Sequence, residues 1–456
     1  MTFPDLPVLS WLARAEIILV LGALVLLVSA PRLEDSAASV SFLGILTAVI
    51  ALGCGLQERG MARVGLVVIA VALAIAMLLL GSAELFEPRQ KPEAAALLLV
   101  GGIGAVVLVS SSSSNSLLEM ALGTELISLS SAGVIALGRG ERPLEGAFKY
   151  FILTAVTFAT LLFGMALVFL ATGSLDAPVL STVADGLRPV AVAGLALMGI
   201  GLCFKLAVVP THFGALDAYT AGPSSFVGFV MLASKLGAVG ALSTIATRAG
   251  ASLQGVFLFI GLFTLGFAVM ASFAQTDLRR LLAYSAVAHA GFLAVGLGSD
   301  VSGAEAALFY VIGYGSAGML AFACLAGSGT DALPIAALRL GGALQLGRLR
   351  AMGLIVALLS LAGVPPLPGF WAKLAVLKAA WVAWGPAVAG VAALGGVVGV
   401  IYYLRPLPDL LTQTKAGAEQ RELGTSAAVL ITIVLVVALG VVPTLASALI
   451  PSLVTP

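Results

Sequence analysis

The stretch that decides the fold is residues 188–213, with the sequence RPVAVAGLALMGIGLCFKLAVVPTHF. From Pro189 to Phe204 no side chain is charged, and a helix needs about 20 apolar residues to cross a bilayer core of about 30 Å. Lys205 follows this apolar run, and Pro210 comes five residues later. Because proline removes a backbone hydrogen bond and clashes with the preceding turn, the stretch predicts a membrane helix that is broken beside a lysine.

The composition of the whole chain also favours a membrane location. Of 456 residues, 60% are hydrophobic and 10% are charged, whereas soluble domains carry about 25% charged residues. This excludes a soluble enzyme, a secreted disulfide scaffold, a disordered tail and a nucleic-acid-binding protein, and the net charge of +1 offers no basic field to a nucleic acid. The cysteines Cys54, Cys203 and Cys324 lie far apart without CxxC spacing, which argues against iron–sulfur and zinc sites.

Apolar runs recur along the chain at the length of a membrane helix. We identify about 14 candidate spans, joined by short loops that carry most of the charge. They lie near residues 11–29, 37–56, 63–82, 93–113, 116–137, 146–171, 188–210, 223–246, 254–273, 278–298, 303–326, 350–384 (interrupted), 386–405 and 426–450. The predicted fold class is therefore an all-α polytopic membrane protein with about 14 transmembrane helices.

The distribution of Lys and Arg predicts the orientation of these spans. Loops after odd-numbered spans carry 14 of these residues, and loops after even-numbered spans carry four. Because cytoplasmic loops are the basic ones, the odd loops are expected in the cytoplasm and both termini on the periplasmic side. Residues 1–13 lack the basic region of a signal peptide, so we expect the first span to be retained.

Three ionisable residues lie deep inside predicted spans. Glu125 lies in span 5, Lys205 in span 7 and Lys235 in span 8, each with apolar sequence on both sides. A charged side chain at mid-bilayer costs about 2.5–3.5 kcal/mol, so such residues usually face a bundle interior and mark ion or proton paths. Lys378 could instead extend to the headgroups, and Glu119 could be either interfacial or functional.

The chemistry of lysine suits proton transfer at such a depth. Burial disfavours the charged ammonium, whereas a nearby carboxylate favours it. A lysine with a movable glutamate partner would therefore change its proton affinity when the pair opens. We expect Glu125 and Lys205 to form such a pair.

A second broken span lies at Ser360–Lys373, SLAGVPPLPGFWAK, where three prolines and two glycines interrupt apolar sequence. The breaks fall in spans 7 and 12, and paired interruptions are typical of transport sites. An offset of five spans reverses the direction through the membrane, so spans 4–8 and 9–13 are predicted to be two inverted five-helix repeats; a merely kinked packing helix is the alternative at each break. The predicted units are residues 1–92 (spans 1–3), 93–250 (first repeat), 251–408 (second repeat) and 409–456 (a loop and span 14).

Both histidines of the chain lie near these features. His289 lies in span 10 and is a candidate proton relay, although a lone histidine on an apolar helix face is also typical of a hydrogen-bonded core residue. His212 follows the first break, where it could serve as a relay or bond to carbonyls freed by Pro210.

Several segments combine these features. They are residues 123–129 (GTELISL), 147–151 (AFKYF), 204–213, 277–291 (DLRRLLAYSAVAHAG), 360–373 and 402–405 (YYLR). In this combination the sequence resembles the antiporter-like membrane subunits of respiratory complex I (NADH:quinone oxidoreductase), most closely the N type. The resemblance covers roughly residues 95–405.

The resemblance implies the same fold of inverted five-helix repeats and a function in proton translocation. It places functional positions on Glu125, Lys205, Lys235 and Lys373, with His289 as a relay candidate. In this interpretation Glu125 modulates Lys205, and protons pass from Lys205 through Lys235 toward His289. Lys373 then hands them to the exit side.

The resemblance also implies partners and a location. NADH, FMN, iron–sulfur clusters and quinone would be bound by partner subunits, and this chain would hold no cofactor and no metal. Its neighbours would be other antiporter-like subunits and small subunits of the membrane arm, with membrane lipids around them and no nucleic acid. The expected location is the inner membrane of a bacterial cell.

Three other interpretations remain open. At Thr211, Gly214 and Leu216 the sequence departs from the Phe, Trp and Pro that are common in the family, which leaves room for a divergent relative of the N type. A cation/proton antiporter subunit of the Mrp kind and a membrane subunit of a hydrogenase-linked ion pump would share the fold. A purely structural spacer is disfavoured, because a spacer would gain stability by losing buried lysines.

Overall fold

The structure is a computed structural model that describes residues 14–33, 36–55, 60–81, 90–328, 333–338, 346–413 and 423–444. Most of these residues lie in α-helices. Within the described ranges, 12 helices are long and apolar enough to cross a membrane. The chain is therefore an all-α, multi-pass membrane protein, which confirms the predicted fold class.

The helices are numbered here in chain order over the described residues. They are α1 (Ala15–Leu33), α2 (Ala37–Gly55), α3 (Gly60–Leu78), α4 (Lys91–Ser114), α5 (Leu117–Ala136), α6 (Glu141–Thr172), α7 (Arg188–Leu206), α8 (Phe213–Ala221), α9 (Ser224–Ala249), α10 (Ala251–Phe273), α11 (Leu278–Leu297), α12 (Val301–Cys324), α13 (Arg348–Ala362), α14 (Pro368–Trp384), α15 (Pro386–Leu404), α16 (Leu407–Gln413) and α17 (Leu423–Val441).

The predicted spans coincide with helices, with differences at their ends and at the breaks. Span 6, predicted at 146–171, is part of the 32-residue helix α6. Span 12 is two helices, α13 and α14, of 15 and 17 residues. Residues 11–13 of span 1 and residues 445–450 of span 14 lie outside the described residues. The total of 14 spans, the inverted repeats and the division into four units stay predictions.

Three helices form the centre of the bundle. The membrane-length windows of α9 and α12 are 100% buried and that of α11 is 89% buried, whereas those of α2 and α6 are only 22% buried. Helix α9 carries Lys235 and α11 carries His289, so both side chains lie on helices that are shielded from the surroundings of the protein. The peripheral helices present apolar side chains outward, as lipid contact requires.

Each break leaves the helical conformation at one residue with a positive φ. Helix α7 ends at Leu206 and is followed by Ala207 with φ 65°, whereas α13 ends at Ala362 and is followed by Gly363 with φ 87°. In a helix, the carbonyl of residue i accepts a hydrogen bond from the N–H of residue i+4. Proline has no N–H, so the prolines after each break leave carbonyl groups without this partner.

Pairs of glycines let the backbones of neighbouring helices approach closely. A Cβ atom on Gly123 of α5 would lie 2.8 Å from the carbonyl oxygen of Gly104 in α4, and one on Gly104 would lie 2.9 Å from the Gly123 oxygen. The same reciprocal contact joins Gly261 of α10 to Gly291 of α11, at 2.9 Å in each direction. Small residues at crossings are typical of membrane helices, where packing replaces the hydrophobic effect. These two crossings join the first two spans of each predicted repeat.

The glycine crossings predict that a glycine-to-alanine substitution lowers stability at a crossing but does not lower it at a glycine with open space around it. Gly123→Ala places a Cβ atom 2.7 Å from the amide nitrogen of Leu108, and forcing the helices apart should cost about 1–3 kcal/mol. Gly266→Ala in α10 meets no atom within 4 Å and should be neutral or stabilising, because alanine favours a helix by about 1 kcal/mol over glycine. Thermal unfolding midpoints in detergent would check this pair, and equal midpoints would contradict the close crossing.

Candidate functional site

The first break supplies a hydrogen-bond acceptor to a lysine on another helix. The carbonyl of Leu206 would accept from the N–H of residue 210 in a continuous helix, but residue 210 is proline. Lys235 of α9 donates a hydrogen bond from Nζ to this carbonyl at 2.5 Å. The lysine residue is 0% exposed. The proline of one helix therefore creates the partner that holds a buried ammonium of its neighbour.

The second break repeats this arrangement with two carbonyls. In a continuous helix the carbonyls of Leu361 and Ala362 would accept from residues 365 and 366, and both of these are proline. Lys373 donates from Nζ to the Leu361 oxygen at 3.0 Å and to the Ala362 oxygen at 2.7 Å. Here the lysine belongs to α14, the second half of the same broken span. Both breaks therefore bind a lysine through freed carbonyls, but at the first break the lysine comes from a neighbouring helix.

The ends of the broken helices also favour a positive charge. Carbonyl groups at the C-terminus of a helix carry a partial negative charge, and a cation there is stabilised by about 0.3–1 kcal/mol, or more when partly buried. Among the described residues, no carboxylate lies within 4.0 Å of the ammonium groups of Lys205, Lys235 or Lys373 as an ion pair. The two lysines at the breaks are thus held by uncharged backbone oxygens.

Lys205 lies in the last turn of α7 and has a hydroxyl partner instead. Its Nζ donates to Tyr150 Oη of α6 at 3.2 Å and lies 5.1 Å above the centroid of the Tyr150 ring. The ring of Phe204 lies 5.6 Å from the same nitrogen. These contacts add a cation–π interaction to a single hydrogen bond. Since Leu206 follows Lys205 directly, the Lys205 and Lys235 sites are joined through the backbone at the first break.

The predicted pair of Glu125 and Lys205 is present only as a longer-range interaction. The two groups interact electrostatically, but they do not form an ion pair within 4.0 Å. Glu125 is half-buried, and its Oε2 atom is buried without a hydrogen-bond partner. A buried carboxylate oxygen without a partner is costly, so this atom is poised to take a proton or a hydrogen bond.

His289 lies in a cluster of tyrosines. Tyr310 Oη of α12 lies 2.7 Å from Nδ1, and Tyr403 Oη of α15 lies 3.0 Å from Nε2. The ring of Tyr314 packs against the imidazole with centroids 4.3 Å apart and an angle of 30° between the ring planes. Lys235 and Lys373 both interact electrostatically with His289. The histidine is therefore near enough to both lysines at the breaks to interact with their charges.

A narrow cleft of about 10 Å³ is lined by both His289 and Lys373. Phe292, Tyr402 and Tyr403 also line it. The Lys373 ammonium lies 5.9 Å from the centroid of the Phe292 ring. His289 and Lys373 therefore border the same narrow cleft.

The other candidate residues of the sequence have less direct contacts. The carbonyl freed by Pro210 is taken by Lys235 and not by His212, which corrects one of the two expectations for that histidine. His212 is buried, lies close to the Pro210 carbonyl without forming a hydrogen bond, and packs its ring 4.2 Å from that of Phe213. Lys378 is exposed on α14, and its extension to the headgroups stays a prediction.

The sequence did not identify the tyrosines that form hydrogen bonds with the candidate site residues. Every tyrosine of the chain except Tyr284 is buried, although tyrosine hydroxyls need a partner inside a protein. Tyr150, Tyr310 and Tyr403 all place their hydroxyl on a lysine or histidine of the site. A tyrosine inside an apolar span is the signal that could have identified them.

Metal-ligating side chains do not cluster among the described residues. Within those ranges, no group of three or more His, Cys, Asp and Glu side chains could hold a metal ion. Cys54, Cys203 and Cys324 are free cysteines. The chemistry that the site offers is the transfer of protons among amine, imidazole and hydroxyl groups.

Comparisons with known proteins agree on one family. The profile of the family described as "NADH:quinone oxidoreductase/Mrp antiporter, TM" matches residues 114–399. The NADH-quinone oxidoreductase subunit N of Thioalkalivibrio sulfidiphilus is 34% identical over 354 residues, which cover 74% of this chain and 72% of that protein. Residues 114–399 include Glu125, Lys205, Lys235, His289 and Lys373.

Solved structures show the same fold. A chain of respiratory complex I from Thermus thermophilus with bound aureothin superimposes with a TM-score of 0.78 at 29% identity, covering 95% of this chain and 98% of that one. A chain of an archaeal membrane-bound sulfane sulfur reductase gives a TM-score of 0.81 at 21% identity, covering 96% of both chains. The second likeness shows the shared fold alone.

The close packing at the second break predicts a measurable cost. Gly363→Ala places a Cβ atom 3.0 Å from Cδ and 3.1 Å from Nζ of Lys373, whereas Gly173→Ala at the end of α6 meets no atom within 4 Å. Both glycines are left-handed helix caps, so each substitution should cost about 1–2 kcal/mol of backbone strain. Gly363→Ala should lower the thermal unfolding midpoint further, because the Lys373 side chain must shift by a few tenths of an ångström against its two carbonyls. Equal midpoints for the two variants would contradict this contact.

Proposed function

We propose, from the premise that the chain belongs to the family of NADH:quinone oxidoreductase and Mrp antiporter membrane subunits, that it is the N-type proton-translocating subunit of a bacterial NADH:quinone oxidoreductase. The observation that carries this proposal is the set of three lysines inside the helix bundle. Each ammonium is held by a backbone carbonyl or a tyrosine hydroxyl and by no described carboxylate within ion-pair distance. Such groups are rare at this depth and mark ion and proton paths.

The geometry at Lys373 suits reversible protonation. An ammonium group has three N–H donors, and two of them are bonded to the carbonyls of Leu361 and Ala362. A neutral amine still has two N–H groups, so it can keep both bonds after it releases the third proton. The lysine can therefore change its charge without leaving its position, and this removes most of the reorganisation that a buried charge would otherwise demand.

The relay that we propose runs through the residues that the sequence indicated. Glu125 modulates the charge of Lys205, and Lys205 passes protons to Lys235 across the break that both residues border. His289 then carries the proton between Lys235 and Lys373, with which it interacts electrostatically. Lys373 delivers it to the exit side.

The finer features of the proposal concern the complex around this chain. Redox energy would come from partner subunits that bind NADH, FMN, iron–sulfur clusters and quinone, and it would reach this chain through conformational and electrostatic coupling. Neighbours would be other antiporter-like subunits and small subunits of the membrane arm. The chain would lie in the bacterial inner membrane with both termini on the periplasmic side, in keeping with the positive charge of the odd-numbered loops.

Replacing Lys373 should reduce proton translocation while the complex still oxidises NADH. Lys373→Met keeps the length of the side chain and removes its charge, so proton uptake per NADH oxidised by the complex in proteoliposomes should fall several-fold. Lys378→Met is the matched control, because it removes an exposed lysine from the same helix and should leave pumping unchanged. Assembly of each variant is checked by its NADH oxidation with an artificial electron acceptor. Normal pumping by Lys373→Met would refute the relay.

The Mrp-type alternative predicts a different dependence on sodium. A cation/proton antiporter would move sodium against protons in vesicles without NADH, whereas the proposed subunit should translocate protons only while NADH is oxidised. Sodium-driven acidification or alkalinisation of vesicles that contain the complex would be followed with a pH-sensitive dye. A sodium-dependent signal in the absence of NADH would favour the antiporter.

A further inference from the structure

Two tyrosine hydroxyls from different helices hold both ring nitrogens of His289. Tyr310 lies on α12 and bonds to Nδ1, whereas Tyr403 lies on α15 and bonds to Nε2. A neutral imidazole has one donor and one acceptor nitrogen, so one hydroxyl donates to the ring and the other accepts from it. Ser285, one turn before His289 on α11, forms a hydrogen bond with Tyr403. The four side chains make one unbroken chain of hydrogen bonds.

We propose that the chain Tyr310–His289–Tyr403–Ser285, called here the tyrosine chain, carries the proton through the centre of the bundle. This inference rests on the proposed function and adds the tyrosines to it as relay groups. In one direction of transfer, Tyr310 gives its hydroxyl proton to Nδ1 while Nε2 gives its proton to Tyr403, which passes its own to Ser285. Tyr310 takes up a proton from one side and Ser285 releases one to the other, so each bond broken is matched by one formed and no group is oxidised or reduced.

The imidazole need not become a stable cation in this scheme. It exchanges one tautomer for the other as the proton enters at one nitrogen and leaves from the opposite one. This matters because an imidazolium buried between two lysines would meet two positive charges. The hydroxyls on both nitrogens allow transfer through His289 with its net charge unchanged before and after each step.

Two members of the tyrosine chain, Tyr403 and Tyr310, lie close to the elements that carry the lysines. Tyr403 lines the cleft that also contains Lys373. At the other end, Tyr310 lies on α12, which packs directly against α9, the helix of Lys235. One turn further along α12, the Tyr314 hydroxyl bonds to the sulfur of Met231 on α9 at 2.8 Å. The chain therefore lies between the helix of one lysine and the cleft of the other.

Phenylalanine variants test the hydroxyls without removing the rings. Tyr310→Phe and Tyr403→Phe each delete one bond to the imidazole, and each should lower proton uptake per NADH oxidised several-fold in proteoliposomes of the assembled complex. Tyr284→Phe is the matched control, because Tyr284 lies on the same helix as His289 but the two hydroxyls on the imidazole come from Tyr310 and Tyr403. It should pump as the unaltered complex does.

A second measurement separates transfer from mere positioning. If the hydroxyls only orient the imidazole, Tyr403→Phe slows pumping but leaves the solvent deuterium isotope effect unchanged, and this outcome would overturn the proposal. If the hydroxyl transfers the proton, both the rate and the isotope effect change. If Tyr310→Phe and Tyr403→Phe pump normally while Lys373→Met does not, proton transfer through the tyrosine chain is refuted. The proposed function would still hold in that case. Normal pumping by Lys373→Met as well would overturn both.

Discussion

The structure depends on hydrogen bonds from lysine ammonium groups to backbone carbonyls that proline leaves without a partner. Pro210 frees the carbonyl of Leu206 for Lys235, and the prolines at 365 and 366 free two carbonyls for Lys373. Each contact solves two problems at membrane depth, because an unbonded carbonyl and an unbonded ammonium are both costly there. The break in the helix and the lysine bound to it therefore stabilise each other.

The rest of the bundle serves to keep these contacts away from water and lipid. Helices α9 and α12 are fully enclosed, and glycine crossings such as Gly104–Gly123 draw the surrounding helices close enough to seal them. The chain has few charged residues, and those that lie deep in the bundle are surrounded mainly by apolar side chains. A change of charge at one of them should therefore alter the electrostatic potential at the next, with little screening by water or salt.

Much of the fold and some of the site could be predicted from the sequence, because both have local signals. Apolar runs predicted the helices, and a lysine or proline inside such a run predicted the sites at Lys205 and Lys235 and the two breaks. The partners could not be predicted, because they come from distant parts of the chain. Nothing near Pro210 shows that its freed carbonyl binds a lysine 29 residues from Leu206 rather than His212. The tyrosines on His289 are likewise set by the packing of α11, α12 and α15.

The account is tested most directly by a cryo-electron microscopy map of the assembled complex that resolves side chains and ordered water in the membrane arm. It predicts density for the Lys373 amine within hydrogen-bonding distance of the carbonyls of Leu361 and Ala362, and for the Lys235 amine at the carbonyl of Leu206. Water molecules on these three carbonyls, with both lysines turned toward carboxylates, would contradict it.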